Sequence, residues 1–470
     1  MGNGIFASKK IRIGILGAGC SIGRSCHAIQ LGNVLILVDA GMNPGVAFIP
    51  QNTADLLPLL VNETGRIGLE HMMQGIDSVL LVVTHAHHDH AGAVIPIADY
   101  IGDNFPNVKF QILMTAPTWR FCEISWAESA RTMQNKNSEW VSLKPLFDEH
   151  DILRIRDKVK ISDPGIEHTL SEDIRVMLIP AGHILGAVSV AINAWGMHFV
   201  HTGDIAFDDH YLVPGATTFP LPNLKVLFSE GTYAGEKDIA RDTVEGECAQ
   251  SALHVLNRGG VALFPAFQID RAQELMEMLL QAGVPRSKIY LDGGVRPMCK
   301  VYKEFLKKDW SDCFIQGRKH REDVLLKNES CIVIASGGML KGASLEWAKG
   351  IIGREESAIL LNGWAEPCSP ARQLIDILGI KDDGAIKELK VEDEDGEEKR
   401  YPVRCELNFF HLSGHAHGGQ LEEYWREMRP EHLILVHTEG EKAGLYLEKN
   451  KNNLGASHVH LPQNGIIIDL

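Results

Sequence analysis

Short apolar runs that stop on an ionisable or hydrogen-bonding residue recur along this chain, and that repetition limits its fold more than any other feature. Ile11–Leu16 runs into Gly17-Ala18-Gly19, and Val34–Val38 into Asp39-Ala40-Gly41. Arg175–Ile179 leads to Pro180-Ala181-Gly182-His183, Met197–Val200 to His201-Thr202-Gly203-Asp204, and Val226–Phe228 to Ser229-Glu230. Apolar runs bounded by glycine are the mark of strands buried on both faces, which belong to α/β folds. Such folds gather their chemistry at strand ends, because the strand is rigid and the loop after it is open.

The densest of these endings follows Val79–Val83. There the chain reads Thr84-His85-Ala86-His87-His88-Asp89-His90, an H-x-H-x-D-H pattern. Imidazole and carboxylate groups crowded beyond one strand end suit zinc or a similar divalent ion. More endings of this kind lie downstream: His183, Asp204, His415 in Ser413-Gly414-His415, and His437 after Leu433–Val436. A lone histidine after a strand is usually structural, but this series together fits two ions. His85, His87 and His183 can hold one, and Asp89, His90 and His437 the other. Asp204 can bridge them, with a hydroxide completing both shells. His415 is then left over as the acid for a leaving group, and Glu230 is placed to hold it protonated and oriented.

Helices are expected over Thr118–Gln134, Lys144–Ile152, 240–257, Arg271–Ala282 and Pro297–Lys308. A fresh α/β pattern of parallel-sheet character begins near residue 235, and Val391–Arg400 reads as a solvated hairpin tip. The 470 residues suffice for two or three domains, and no run of eighteen apolar residues suggests a membrane span. The net charge of −15 argues against a chain that grips nucleic acid with its whole surface. One stretch, Arg296–Lys327, has nine Lys/Arg against five Asp/Glu and could form a local basic patch, or simply a solvated helix and loop. The nine cysteines form no Cys-x-x-Cys, and the N-terminus has no signal-peptide layout, so reduced thiols and a cytoplasmic setting are expected.

With these motifs in order, the chain resembles the metallo-β-lactamase superfamily in its β-CASP nuclease branch, which includes mRNA 3′-end-processing endonucleases, Integrator nucleases and RNase J. The resemblance rests on Ile22–Cys26, Val38–Gly45, the His85 cluster, Gly182–Ala187, Thr202–Asp204 and Glu230–Tyr233. It continues through Asn257–Gly260, Pro265–Phe267, Arg271–Glu274, Ser336–Met339, Ser413–His415 and Leu435–His437. It implies a four-layer αβ/βα metallo-β-lactamase sandwich with an inserted α/β β-CASP domain. The expected boundaries are 1–234 for the first part of the sandwich, 235–408 for the β-CASP domain and 409–470 for the returning part. It also implies the metal and acid roles assigned above, with Asp39 supporting the ligands from behind. The implied cofactor is Zn2+, two per chain, with Mn2+ as the other metal to consider.

The implied activity is hydrolysis of RNA phosphodiester bonds, endonucleolytic or 5′ exonucleolytic. In this branch a histidine at the position of His437 goes with RNA. The partners expected are an RNA substrate and, optionally, a second copy of the chain, with no membrane. Arg271, Ser336, Gly337 and Ser413 are candidate substrate contacts, with an ion pair or plain tight turns as the alternatives. Tyr233 is either a base-stacking ring or packing. Rival readings are a metallo-hydrolase of DNA or a small ester, and a non-catalytic β-CASP subunit. Four places depart from the family pattern: Ala40 stands for a usual Cys, His88 lies by register on the face opposite the ligands, Gln268-Ile269-Asp270 replaces a more apolar segment and sets an acid beside Arg271, and Thr438 stands for a common Gly.

Overall fold

The computed structural model describes residues 10–43, 53–134, 145–363, 365–367, 369–379, 387–393 and 396–470. The chain divides into two compact units. The first comprises Met1–Asp209, Val213–Asp238 and His415–Leu470, and the second His210–Leu212 and Ile239–Gly414.

The first unit holds two seven-stranded sheets. One runs in the order Ile466–Asp469, Ile11–Gly17, Cys26–Leu31, Val34–Val38, Ser78–Val82, Lys109–Met114, Val159–Ile161. Its pairings are antiparallel up to Val34–Val38 and parallel from there on. The other runs His458–His460, His432–Val436, Leu224–Glu230, Met197–His201, Val188–Ala194, Ile174–Pro180, Glu167–Ser171. It is parallel across its first four strands and antiparallel after them. The sheets share one core, in which Ile13, Ile36, Val38, Leu80 and Val82 meet Val176, Val190, Phe199, Phe228 and Ile434. Leu35, Leu37 and Leu81 alternate with these core residues and are equally buried, so the first sheet is covered on its other face too. This two-sided burial is why Val34–Val38 is apolar throughout. On the second sheet the helix Gly418–Met428 lies over the outer face, its Trp425 indole donating to Ser229 Oγ at 2.8 Å.

The second unit is built on five parallel strands in the order Ile289–Asp292, Cys331–Ser336, Val261–Ala266, Ala358–Leu361, Glu406–Phe409. A hairpin of Glu388–Glu392 and Glu398–Pro402 carries the acidic run expected as a solvated tip. The helix Arg271–Gln281 is buried from Arg271 to Leu279. His210–Leu212 is tied into this unit by Glu274, whose carboxylate accepts from the Tyr211 and Leu212 N–H groups at 2.8 and 2.9 Å.

Two expectations change. The helix placed over Lys144–Ile152 spans Glu149–Ile155 instead. Asp148 fixes its start, because its side chain accepts from the His150 and Asp151 N–H groups while the Asp151 side chain reaches back, a reciprocal cap. Lys144 itself lies outside the described residues. Four of the nine basic side chains of Arg296–Lys327 are paired with carboxylates in place. Lys303 pairs with Asp309, Lys308 with Glu277, Arg318 with Glu322 and Arg321 with Asp292, while Arg296 donates to the Ile315 carbonyl. The described cysteines are all free thiols, and among the described residues no helix is long and apolar enough to cross a membrane.

Backbone packing positions the histidine loop before any ligand does. Gly41 donates its N–H to the Ser25 carbonyl, and a Cβ at Gly41 would overlap the Asp89 carbonyl group. Neither backbone can yield without moving Asp89 and His90. Gly41→Ala is therefore expected to destabilise the fold by about 3 kcal/mol, read from urea unfolding, and to lower metal retention. An unchanged midpoint with full metal content would contradict this reading of the loop.

Candidate metal centre

The ionisable strand endings of the first unit converge. Asp39 follows Val34–Val38, Thr84 and His85 follow Ser78–Val82, and Asp204 follows Met197–His201. Glu230 ends Leu224–Glu230, and His437 follows His432–Val436. Each of these strands runs parallel to a neighbour, so carboxyl ends from both sheets meet at one edge. Asp39, His183 and His437 take left-handed backbone angles, φ +64°, +55° and +50°. Non-glycine residues avoid this region, and such strain is retained where a side chain must be aimed.

Three overlapping groups of donors result: one is Asp204, Glu230, His415 and His437, and the other two hold the clustered histidines. In the first of those two, His87 Nδ1 lies 3.1 Å from His85 Nε2 and 3.2 Å from His183 Nε2. Asp204 Oδ2 stands 3.5 Å from His85 Nε2 and 3.6 Å from His183 Nε2. In the second, His437 Nε2 is 3.3 Å from Asp89 Oδ2, and His90 Nε2 is 4.0 Å from the same oxygen. Asp204 Oδ2 also lies 3.3 Å from His90 Nε2, so this carboxylate borders both groups.

Hydrogen bonds behind the rings decide which nitrogens carry protons. Asp39 Oδ2 accepts from His90 Nδ1 at 2.7 Å; burial lowers the His90 pKa, but Asp204 and Asp39 outweigh it and hold the ring well above the usual imidazole range, so a metal at Nε2 would displace a proton that faces Asp204. Thr84 Oγ1 gives its one proton to Asp39 Oδ2 at 2.9 Å, so it accepts from His85 Nδ1 at 3.1 Å. Thr232 Oγ1 likewise donates to Glu230 Oε2 at 2.5 Å and accepts from His437 Nδ1 at 3.0 Å. At His85 and His437 the ring proton therefore sits on the outward Nδ1. Burial pushes His85 well below the usual imidazole range and His87 down to about 4, so both rings are neutral near pH 7.

Hydrogen bonds among these crowded nitrogens and carboxylates satisfy the group only in part. His90 Nε2 and Asp204 Oδ1 are indeed buried without a hydrogen-bond partner. Tetrahedral zinc with bonds of about 2.0–2.1 Å sets neighbouring donors roughly 3.3 Å apart, which is the spacing found here. The donor set therefore fits divalent metal.

His415 sits alongside. Its Nδ1 donates to Glu230 Oε2 at 2.9 Å and lies 4.0 Å from Asp204 Oδ2. Its ring packs 4.7 Å from that of His183 and stacks 5.7 Å from that of His437. Burial alone would lower its pKa, but Glu230 and Asp204 outweigh this and push it up to about 9. Glu230 is itself held by the Ile205 N–H at 2.6 Å. The Tyr233 ring lies 6.2 Å from that of His415.

The candidate substrate contacts all fall in the second unit. Arg271 is buried, with its charge set against Asp270 and Glu274, the ion-pair alternative considered for it. Ser336 Oγ accepts from the Gly294 N–H, Gly337 donates to the Ala266 carbonyl, and the Ser413 carbonyl accepts from Arg241. A further histidine–carboxylate group, His210 with Asp270 and Glu274, is not a ligand set. Arg241 can only donate, and it occupies His210 Nε2 at 3.2 Å, which leaves the ring's proton on Nδ1. His88 belongs to none of the metal-type groups. Thr84 and Thr232, which set the tautomers, were not singled out from sequence. The only signal was their position one residue before a ligand and two residues after Glu230.

Comparison with known proteins agrees with this architecture. Residues 272–374 match the Beta-Casp domain, and residues 400–462 match the Zn-dependent metallo-hydrolase RNA specificity domain. The chain is 27% identical to transcription termination factor FttA of Methanocaldococcus jannaschii, over 97% of this chain and 71% of that protein. It is 29% identical to FttA of Pyrococcus abyssi, over 93% and 68%. It is 25% identical to endoribonuclease YSH1 of Gibberella zeae, over 96% of this chain and 56% of that protein. A solved structure from Enterococcus faecalis, of a protein of unknown function, shares the fold with a TM-score of 0.58 at 14% identity, covering 98% of this chain and 100% of that one. Strand endings, converging donors and domain matches agree on a chain that carries a Beta-Casp domain and a Zn-dependent metallo-hydrolase RNA specificity domain.

Proposed function

We propose that this protein is a zinc-dependent ribonuclease that hydrolyses RNA phosphodiester bonds at a two-metal centre. The observation that carries the reading is the set of histidine and aspartate donors converging on Asp204, with the His415–Glu230 pair beside it. His85, His87, His183 and Asp204 would hold one ion, and Asp89, His90, His437 and Asp204 the other. RNA as the substrate is supported by the RNA specificity domain match and by relatives named as an endoribonuclease and a transcription termination factor.

When bound, such an ion pair supplies Lewis acidity at a phosphoryl oxygen and acidifies water toward about pH 7. The chain's own residues do the rest. Thr84, Asp39 and Thr232 hold three ligand rings in the tautomer that presents Nε2. Glu230 accepts the Nδ1 proton of His415 and keeps the imidazolium charged. The Nε2 proton of His415 is then available to the departing sugar oxygen, the task of a general acid.

The direct test is end-labelled RNA incubated with the zinc-loaded protein, with and without chelator. Products that vanish with chelator and return with zinc are expected, and their lengths separate internal cutting from stepwise 5′ digestion. No cleavage by fully metallated protein would overturn the reading.

His415→Ala is expected to keep metal content while losing about 10²- to 10⁴-fold in turnover. The acid works only while protonated, so activity is present below its pKa and lost as pH rises through it. A cation at Asp204 weakens one of the carboxylates that raise His415, so the alkaline fall should centre below about 9. A pH–rate profile without that limb, or one that keeps it in His415→Ala, would contradict the role. Thr232→Val removes the acceptor for His437 Nδ1 and is expected to weaken metal retention about 10- to 100-fold, measured by competition with a chromophoric chelator.

A further inference from the structure

The second unit carries aromatic surface that the chemistry above does not use. The exposed large aromatic residues among those described are Phe267, at 39%, and Phe409, at 38%. Both stand at carboxyl ends of the parallel sheet. Phe267 directly follows the central strand Val261–Ala266, and Phe409 closes the edge strand Glu406–Phe409. Only Ala358–Leu361 lies between those strands.

The chain's path marks this edge as a ligand position. From Val261–Ala266 it proceeds to the far edge strand Ile289–Asp292, whereas from Ala358–Leu361 it proceeds the opposite way, to Glu406–Phe409. Connections that part from neighbouring strands open a crevice at their carboxyl ends, and open α/β sheets bind ligands there. Phe267 ends one of these strands, and Asn362-Gly363 ends the other.

Two glycines keep the Phe267 ring bare. A Cβ at Gly363 would stand 3.3 Å from the ring, and one at Gly338 3.6 Å. Their neighbour Gly337 needs glycine for its backbone, with φ +105°. Gly338 and Gly363 do not lie in the left-handed region, so their backbones make no such demand. What the missing side chains do at these positions is leave an aromatic face uncovered.

We infer that Phe267, with Phe409 on the same sheet edge, is a stacking platform for unpaired nucleobases of the RNA. This rests on the ribonuclease reading and adds a base-recognition surface to it. An open aromatic face in a strand-end crevice suits a base, because every base offers a π-face and stacks without regard to sequence.

The test is fluorescence anisotropy on the zinc-loaded protein with a short single-stranded 2′-O-methyl phosphorothioate RNA, which resists cutting, and with an abasic oligomer of the same backbone. Phe267→Leu keeps apolar bulk but loses the π-face, and Phe267→Trp keeps both. Phe267→Leu is expected to weaken RNA binding roughly 5- to 100-fold, and Phe267→Trp to stay within about twofold of the parent. All three proteins should bind the abasic oligomer alike. RNA binding by Phe267→Leu equal to the parent overturns the platform. So does an equal loss on the abasic oligomer, which would assign the face to backbone or protein contact. Either result leaves RNA cleavage standing, whereas base-dependent binding without any cleavage removes the ribonuclease reading and keeps the platform.

Discussion

The first unit depends on how its strand ends crowd nitrogen donors around one buried carboxylate. Around Asp204 the inward nitrogens of His85, His87, His90 and His183 converge at 3.1–3.6 Å. Apolar packing of the two sheets sets these groups in place, and hydrogen bonds from behind lock their orientation. A divalent cation at the focus would satisfy these donors together, and its binding would then add to the stability of this edge of the fold.

The loops that carry the ligands bear the cost in their backbones. Asp39 and His437 hold a left-handed φ directly after a buried apolar strand, and His183 does so three residues beyond Ile174–Pro180. Each of those strands is hydrogen-bonded to a neighbour on both sides, which is what allows a strained residue beyond its end to persist. The second unit repeats the pattern with Asp270, at φ +72° ahead of a helix buried almost throughout.

Much of this was legible in the sequence. Strand-end motifs pointed to His85, His87, Asp89, His90, His183, Asp204, Glu230, His415 and His437, which the structure brings together. The reason is chemical: imidazole and carboxylate after a short apolar run are rare and specific. What sequence hid were groups whose residue type says little. Thr84 and Thr232 are ordinary threonines until a ring nitrogen comes to rest beside each hydroxyl. The positive run at Arg296–Lys327 looked like a patch because its counter-charges, Glu277 and Asp292, lie earlier in the chain. His210–Leu212 gave no sign of joining the second unit, since the Glu274 carboxylate that binds it is more than sixty residues away.

Asp39 touches His90 directly and reaches His85 through the Thr84 hydroxyl. Those two rings belong to different donor groups. One buried carboxylate is thus a shared keystone, and the two halves of the centre cannot be tuned independently. Any change at Asp39 loosens both rings in the same stroke, leaving no intact half to buffer the other.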